Sequence, residues 1–201
     1  MKSVDLPANA NGIETDKRKR KTKALLRQTL TQLLMHKDLK DITISELTET
    51  ADVNRGTFYL HYRDIYDLFD QIEKDLLDDF TVIIAKHKQQ KEVYALPAML
   101  ETFKFIAANA QLFIAILRTR ETNFFAKVVE MNRPQNLDEW KKLLGNAKEE
   151  YNEYYYAFIT SGLYAMLKLW FSEGMPESPE IMAKLAENMM ENSVRSLSEK
   201  L

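Results

Sequence analysis

The sequence of 201 residues contains no cysteine. This absence excludes a disulfide scaffold, a thiolate zinc site, an iron–sulfur cluster and a cysteine nucleophile, and it is compatible with a reducing compartment. Histidine is also scarce, with three residues, which leaves little material for a histidine-based metal or catalytic centre. The chain has no glycine-rich phosphate loop either, so we expect no metal site, no cofactor and no enzymatic activity.

Long apolar runs are equally scarce. The N-terminus lacks the continuous apolar stretch of a secretory signal. The most apolar segment runs from Tyr154 to Phe171, but it contains Lys168. A lysine at the centre of a bilayer costs about 2.5–3.5 kcal/mol. We therefore expect a cytoplasmic protein that does not enter a membrane.

Glycine and proline, with five residues each, are too few for a protein rich in tight turns. Apolar residues instead recur three or four positions apart, as in Ile65, Leu68, Ile72 and Leu76. This spacing is typical of helices with one buried face. The sequence therefore predicts an all-α fold.

The net charge of −2 hides a strong asymmetry along the chain. Residues 1–16 carry −2 and are expected to be a disordered leader. Residues 17–63 hold eleven Lys or Arg against five Asp or Glu, a net charge of +6, whereas residues 64–201 carry −6. A basic module attached to an acidic body suits a protein with a polyanionic partner. A solvated basic segment without a partner is the alternative.

Residues 42–63 have the signals of two short helices joined by a tight turn. Thr43 and Glu46 form a capping-box pair, which predicts a helix from Ile44. Asp52 tolerates the left-handed conformation that a turn requires, and Asn54 is a favoured N-cap for a second helix through Tyr62. The arrangement is a helix-turn-helix.

The second of these helices carries groups that suit the major groove of DNA. Arg55 can offer a bidentate fork to guanine, and Gly56 lets the backbone approach the duplex. Hydroxyl and imidazole groups further along can hydrogen-bond to phosphates. The candidate DNA-binding residues are Thr43, Asn54, Arg55, Gly56, Thr57, Tyr59, His61, Tyr62 and Arg63.

The stretch from Lys23 to Leu68 resembles the DNA-binding domain of TetR-type transcriptional regulators. The most specific part is Gly-Thr-Phe-Tyr-Leu-His-Tyr at residues 56–62. The resemblance implies a recognition helix headed by Asn54, in a homodimer that represses from a palindromic operator. Two positions depart from the family pattern: Asp52 replaces a turn glycine, and Ile65 replaces a lysine that would contact phosphate. Arg63 is the nearest substitute for that lysine.

Residues 64–201 predict a larger helical bundle, which would be the effector and dimerisation domain. The spacing predicts a connecting helix from Ile65 to about His87, and a long helix from Tyr154 to Phe171 that is apolar nearly all round. A helix starting at Pro179 carries a matching apolar stripe, so a second copy of the chain is expected to cover both helices. The candidate dimerisation residues are Phe158, Gly162, Met166, Leu185 and Met189.

Two questions stay open at this level. Aromatic and methionine side chains between residues 99 and 170 can line an effector pocket or simply form the core, and no ligand-binding residue is assigned. The basic module could also dock a protein or an RNA, as in an all-helical adaptor. A larger apolar stripe around Arg55 would favour that adaptor, and the sequence does not have one.

Overall fold

The computed structural model describes residues 10–87, 96–119, 122–131, 133 and 149–200, and it contains no strand within them. The all-α prediction is confirmed. Within these residues the helices are α1 (Ala10–Leu34), α2 (Ile44–Thr50), α3 (Arg55–Tyr59), α4 (Ile65–His87), α5 (Leu96–Ala108), α6 (Ala110–Arg118), α7 (124–131), α8 (Glu149–Ser172) and α9 (Pro179–Lys200). A short 3-10 turn, Leu39–Asp41, lies between α1 and α2.

The chain divides into two compact units, Met1–Ile72 and Glu73–Leu201. The first unit packs α1, α2, α3 and the start of α4 around leucine and phenylalanine side chains that have no exposed surface. These side chains are Leu26, Leu30, Leu47, Phe58 and Leu68. The helix-turn-helix therefore has an apolar core beneath it that fixes which of its faces points outward.

Helix α1 begins earlier than the expected leader allows. Residues 10–16 are helical, and residues 1–9 lie outside the described residues. The sequence has no proline or helix-stop signal between Gly12 and the basic run, and Asp16 pairs with Arg20 one turn later at 3.5 Å. The helix therefore continues through the whole basic run, whose side chains from Lys17 to Lys21 are exposed.

An aromatic core holds the second unit together. The ring of Phe80 on α4 makes edge contacts with Phe105 and Phe113, at centroid distances of 5.4 and 5.9 Å. Phe124 at the start of α7 lies 6.0 Å from Phe113. Edge-to-face pairs of this kind add stability beyond the area they bury.

Glu73 is a buried carboxylate on α4, with 3% of its surface exposed. Its Oε2 accepts from Lys127 Nζ at 2.8 Å, and its Oε1 accepts from the hydroxyl of Thr122. Both carboxylate oxygens are thus satisfied, as a buried charge requires. The contacts fasten α4 to the segment that begins α7.

Helix α8 ends in a left-handed turn, and α9 begins at the predicted Pro179. Gly174 and Met175 have positive φ angles of 78° and 59°, which closes α8, and Ser178 Oγ accepts from the backbone N–H of Ile181 to cap α9. Helix α8 is longer than the predicted Tyr154–Phe171. Pro134 and Gly145, which predict a looser region around Trp140, lie outside the described residues.

Among the described helices, none alone has the length and apolar character needed to cross a membrane, and one pair, α5 and α6, passes by composition only with a bend of 80° between its members.

Candidate nucleic-acid interface

Helix α2 begins as its sequence predicts. The Oγ1 of Thr43 accepts from the backbone N–H of Glu46 at 3.2 Å, which satisfies one of the free donors of the first turn. The side chain of Glu46 does not return this bond but pairs with Lys37 Nζ at 2.5 Å. Only half of the predicted capping box is therefore formed, and Glu46 ties α2 to the loop after α1 instead.

The turn between α2 and α3 relies on Asp52, whose φ angle is 51°. This left-handed conformation is the one for which glycine is usual and aspartate is tolerated. The following N–H of Val53 donates to the carbonyl of Thr48 at 2.9 Å, which closes the end of α2. The departure from a turn glycine thus leaves the turn geometry intact.

Asn54 caps α3 as predicted, because its Oδ1 accepts from the N–H of Gly56 at 2.7 Å. A Cβ built on Gly56 would lie 3.1 Å from that same Oδ1. The glycine therefore has a structural reason besides approach to a duplex, namely that any side chain presses on the capping oxygen. Both residues are exposed on the surface of the first unit.

Helical geometry continues past the formal end of α3 at Tyr59. Leu60 has helical backbone angles, and the N–H of Tyr62 donates to the carbonyl of Phe58 at 3.0 Å. Phe58 and Tyr62 point inward, with 0% and 7% of their surfaces exposed and ring centroids 5.8 Å apart. Tyr62 therefore packs in the core of the first unit, a role that its prediction as a DNA contact did not include.

The side of α3 opposite Phe58 carries Gly56 and Leu60, one turn apart. Leu60 is 80% exposed, although leucine is normally an interior residue. Leu60 is not among the DNA-binding residues predicted from the sequence. Its position two residues after the core residue Phe58 is the signal that could have identified it, since two residues correspond to about 200° of helix rotation.

Arg55 and Tyr59 form one flank of this outer side. The guanidinium of Arg55 lies 5.7 Å from the centroid of the Tyr59 ring, and its Nη2 donates to the Tyr59 hydroxyl at 3.2 Å. Nη1 also approaches Ser45 Oγ on α2 at 3.4 Å. Both side chains are exposed, so the fork of Arg55 is held in place while its remaining donors stay accessible.

His61 lies on the other flank with Thr57, close to the basic run of α1. Partial burial lowers the pKa of His61, and the positive charges of Lys23 and Lys19 lower it further. Lys23 Nζ lies 6.0 Å from the centroid of the Tyr62 ring, next to His61. Lys19 and Lys23 of α1 therefore lie close to His61 at the end of α3, and together they form a patch that suits a phosphate.

Arg63 is exposed but already engaged. Its Nη2 lies 3.1 Å from Asp67 Oδ1, and its backbone N–H donates to the other oxygen of that carboxylate at 2.9 Å. This pairing raises the pKa of Arg63 and lowers the pKa of Asp67. A phosphate contact by Arg63 would compete with Asp67, so Arg63 is a weaker replacement for a phosphate-binding lysine than its charge suggests.

The predicted dimerisation residues are largely exposed in the single chain. Phe158 is 67% exposed, Met189 is 55% and Leu185 is 40%, while Gly162 is exposed and Met166 is half-buried. Exposed apolar residues of the same helices that were not among the predicted dimerisation residues include Tyr154, Leu169 and Ile181. We call these eight residues the α8–α9 apolar surface.

Neighbouring positions of α8 differ in burial. Tyr155 is buried and donates to the carbonyl of Met190 on α9 at 3.0 Å. Phe158 points outward. The described residues contain no group of three His, Asp or Glu side chains that could hold a metal ion.

Comparison with known proteins finds similarity to transcriptional regulators. The family described as "Transcriptional regulator C-terminal region" matches residues 94–192. A Bacillus subtilis relative, the HTH-type transcriptional regulator YxbF, is 25% identical over 173 residues; the match covers 80% of this chain and 42% of the relative. The chain thus spans less than half of that relative's length.

Two solved structures have the same fold. A TetR-family transcriptional regulator from Syntrophomonas wolfei aligns with a TM-score of 0.67 and 15% identity, over 88% of this chain and 96% of its own. The fatty acid degradation regulator FadR from Bacillus halodurans aligns with a TM-score of 0.65 and 17% identity, over 84% of this chain and 94% of its own. At these identities the likeness shows the fold.

Proposed function

We propose that this chain is a TetR-type transcriptional regulator, which binds a palindromic operator in double-stranded DNA as a homodimer and acts as a repressor. Regulators of this family are not enzymes. The main support is the exposed side of α3. The helix is capped by Asn54, and the guanidinium of Arg55 is held in place by its hydrogen bond to Tyr59. A helix exposed in this way can enter the major groove by its first turn.

Charge supports a nucleic-acid partner for the first unit. Its surface combines the exposed basic run of α1 with Arg55, and the segment 17–63 carries +6. The adaptor alternative would require an apolar docking stripe on α3. The outer line of α3 offers only Gly56 and Leu60, which is a single apolar side chain.

The α8–α9 apolar surface supports a homodimer. Exposed aromatic and aliphatic side chains one turn apart on two adjacent helices resemble half of a helical interface. A twofold dimer uses the same surface on both chains, and it presents two recognition helices to two half-sites related by the same symmetry. Operator palindromy follows from that symmetry.

Control by an effector completes the proposal. A small molecule or a protein can release the operator only by binding the released state of the dimer more tightly than the bound state. Helix α4 belongs to both units, since it begins at Ile65 and ends at His87. We therefore assign the transmission of the signal to α4, and the large aromatic core of the second unit makes apolar compounds the first class to screen.

Selection of bound sequences from random duplex DNA tests the DNA-binding proposal with the full chain. We expect one enriched motif made of two inverted half-sites, with centres about 10 base pairs apart or a multiple of it. Absence of enrichment, or preferential binding of single-stranded RNA, would contradict the proposal. Placing the selected site over a reporter promoter then separates the two regulatory modes, because a repressor lowers expression and an activator raises it.

A further inference from the structure

We propose that Leu60 reads a thymine methyl group in each half-site, which makes it a specificity-determining residue of α3. The inference rests on the proposed function, because it requires that α3 enters the major groove. Leu60 lies within the motif at residues 56–62 but is not among the candidate DNA-binding residues predicted from the sequence.

The first step is the direction of the side chain. Phe58 is fully buried and defines the inner side of α3. Since each residue turns an α-helix by about 100°, Gly56 and Leu60 both lie about 160° from Phe58, on the line farthest from the core. The helical hydrogen bond from Tyr62 to Phe58 shows that this rotation still holds at Leu60.

The second step is the contrast between this line and its flanks. Hydrogen-bonding groups stand on either side, with Arg55 and Tyr59 on one flank and Thr57 and His61 on the other. On the central line, Gly56 has no side chain, so the backbone can come closest to the groove there. Leu60 follows one turn later as the only large side chain of that line.

The third step is the chemistry of the groove. The floor of the major groove presents hydrogen-bond donors and acceptors at every base pair, and the C5-methyl of thymine is the apolar group among them. A leucine placed over a polar base edge would remove water from groups it cannot replace, which is unfavourable. Over a thymine methyl it buries apolar surface on both sides.

Leu60 is also free to take this role. With 80% of its surface exposed, more than any other large hydrophobic side chain among the described residues, it contributes little to the core. A substitution to alanine should therefore leave the fold intact, so that a change in DNA binding reports on the contact itself.

The test is a cycle of two changes on the duplex obtained by selection. In the DNA, each thymine is replaced in turn by deoxyuridine, which removes only the methyl group. In the protein, Leu60→Ala removes the contacting side chain, and Val82→Ala, at a 66% exposed position on α4, serves as the matched control. Affinities are measured by titration with the full chain, and thermal unfolding verifies that both variants fold.

We expect one thymine position per half-site at which deoxyuridine weakens binding of the unmodified chain about fourfold, the equivalent of about 0.8 kcal/mol for one buried methyl. The loss should persist in Val82→Ala and disappear in Leu60→Ala. A loss that persists in Leu60→Ala, or half-sites without a sensitive thymine, would overturn the inference while leaving the proposed function standing. Failure of the selection to yield any duplex would instead remove the proposed function, and the inference with it.

Discussion

The two exposed surfaces of this protein differ in the kind of side chain that they leave in water. On α3 the outward residues are mostly hydrogen-bonding and cationic, and they are held by caps and by contacts among themselves. On α8 and α9 the outward residues are aromatic and aliphatic, such as Phe158 and Met189. A polar, prearranged surface suits a hydrated polyanion, whereas an apolar surface suits another protein surface that excludes water.

The two surfaces should therefore contribute differently, the apolar one to assembly of the dimer and the polar one to DNA binding. Disrupting the α8–α9 apolar surface should separate the two chains of the proposed dimer, because burial of such side chains supplies most of the free energy of a helical interface. Removing one polar contact on α3 should leave assembly unchanged and alter how tightly and how specifically DNA is bound.

Replacing Phe158 by glutamate should convert the dimer to a monomer. The side chain is 67% exposed in the single chain, so the fold of the unit should survive, while a charge inside an apolar interface is strongly unfavourable. Sedimentation at micromolar concentration is the measurement. Val82→Glu, at a position 66% exposed on α4, is the control and should remain dimeric. Dimeric Phe158→Glu protein would place the interface elsewhere, and an unmodified chain that is already monomeric would contradict the proposed dimer.

Arg55→Ala should cost about 1–3 kcal/mol of binding free energy and relax specificity at one base pair per half-site, which is the range for a bidentate contact with guanine. The variant should remain dimeric and folded. Titration against operator variants at each position measures the change, and Arg118→Ala, an exposed arginine at the end of α6, is the charge-matched control. An equal loss for every operator variant would make Arg55 a phosphate contact.

Neutralising the basic run of α1 should change the salt dependence of binding and not its sequence preference. Each phosphate contact that is lost lowers the slope of log affinity against log salt by about 0.9. Lys19→Gln together with Lys23→Gln is the informative pair, because both charges act on His61 beside α3. A lost base preference with an unchanged slope would mean that these lysines do not contact phosphate.

Features that depend on neighbouring residues could be predicted from the sequence. The caps at Thr43 and Asn54 and the turn at Asp52 depend on residues within four positions of one another, so their bounds follow from local rules. The fold class follows from apolar spacing in the same way. The start of α1 at Ala10 was not predicted, because adding residues to an existing helix is easy and no stop signal marks its N-terminal end.

Tertiary packing decides the rest. Helix α8 is apolar nearly all round, so its sequence does not say which face its own unit covers. Tyr155 and Phe158 are an example, because they lie three positions apart and one is buried while the other is exposed. For the same reason Tyr62 was expected to face DNA, whereas its ring packs on Phe58. Residues of one chemical type receive different roles from neighbours that are distant in sequence.

His61 makes the polar surface sensitive to pH. Its pKa is lowered by partial burial and by Lys23 and Lys19, so it is mostly neutral at pH 7 in the free protein. A phosphate placed on this patch would favour the protonated form, so DNA binding should take up protons. Affinity should therefore rise from pH 8 to pH 6 at constant ionic strength, and it should rise less in His61→Gln. The same pH dependence in both proteins would remove His61 from the phosphate patch.

His36→Gln, which alters an exposed histidine just after α1, is the control for that titration. The effect on stability has the opposite sign. Because the folded state disfavours protonation of His61, its contribution to the free energy of unfolding is full above the unfolded pKa of about 6.5 and decreases as the pH falls below it. Acid should therefore strengthen DNA binding while it weakens the fold.

The smallest expected effect distinguishes two adjacent tyrosines of α8. Tyr155 is buried and donates to the carbonyl of Met190, whereas Tyr154 is 77% exposed on the α8–α9 apolar surface. Tyr155→Phe removes one hydrogen bond and should lower the free energy of unfolding by about 1 kcal/mol. Tyr154→Phe removes an exposed hydroxyl and should change it little. Denaturant unfolding near pH 8 measures both.

The same pair should separate further at alkaline pH. Burial raises the pKa of Tyr155 to about 12, above the value near 10 of an exposed tyrosine. A raised pKa means that the fold favours the neutral phenol, so the stability due to Tyr155 is full below pH 10 and is lost as the pH rises toward 12. The difference between the unmodified chain and Tyr155→Phe should therefore shrink above pH 10, while the Tyr154→Phe difference stays flat. A constant Tyr155→Phe difference across this range would show that the phenol titrates normally and is accessible to water, which would place Tyr155 on the exposed side of α8 with its neighbour.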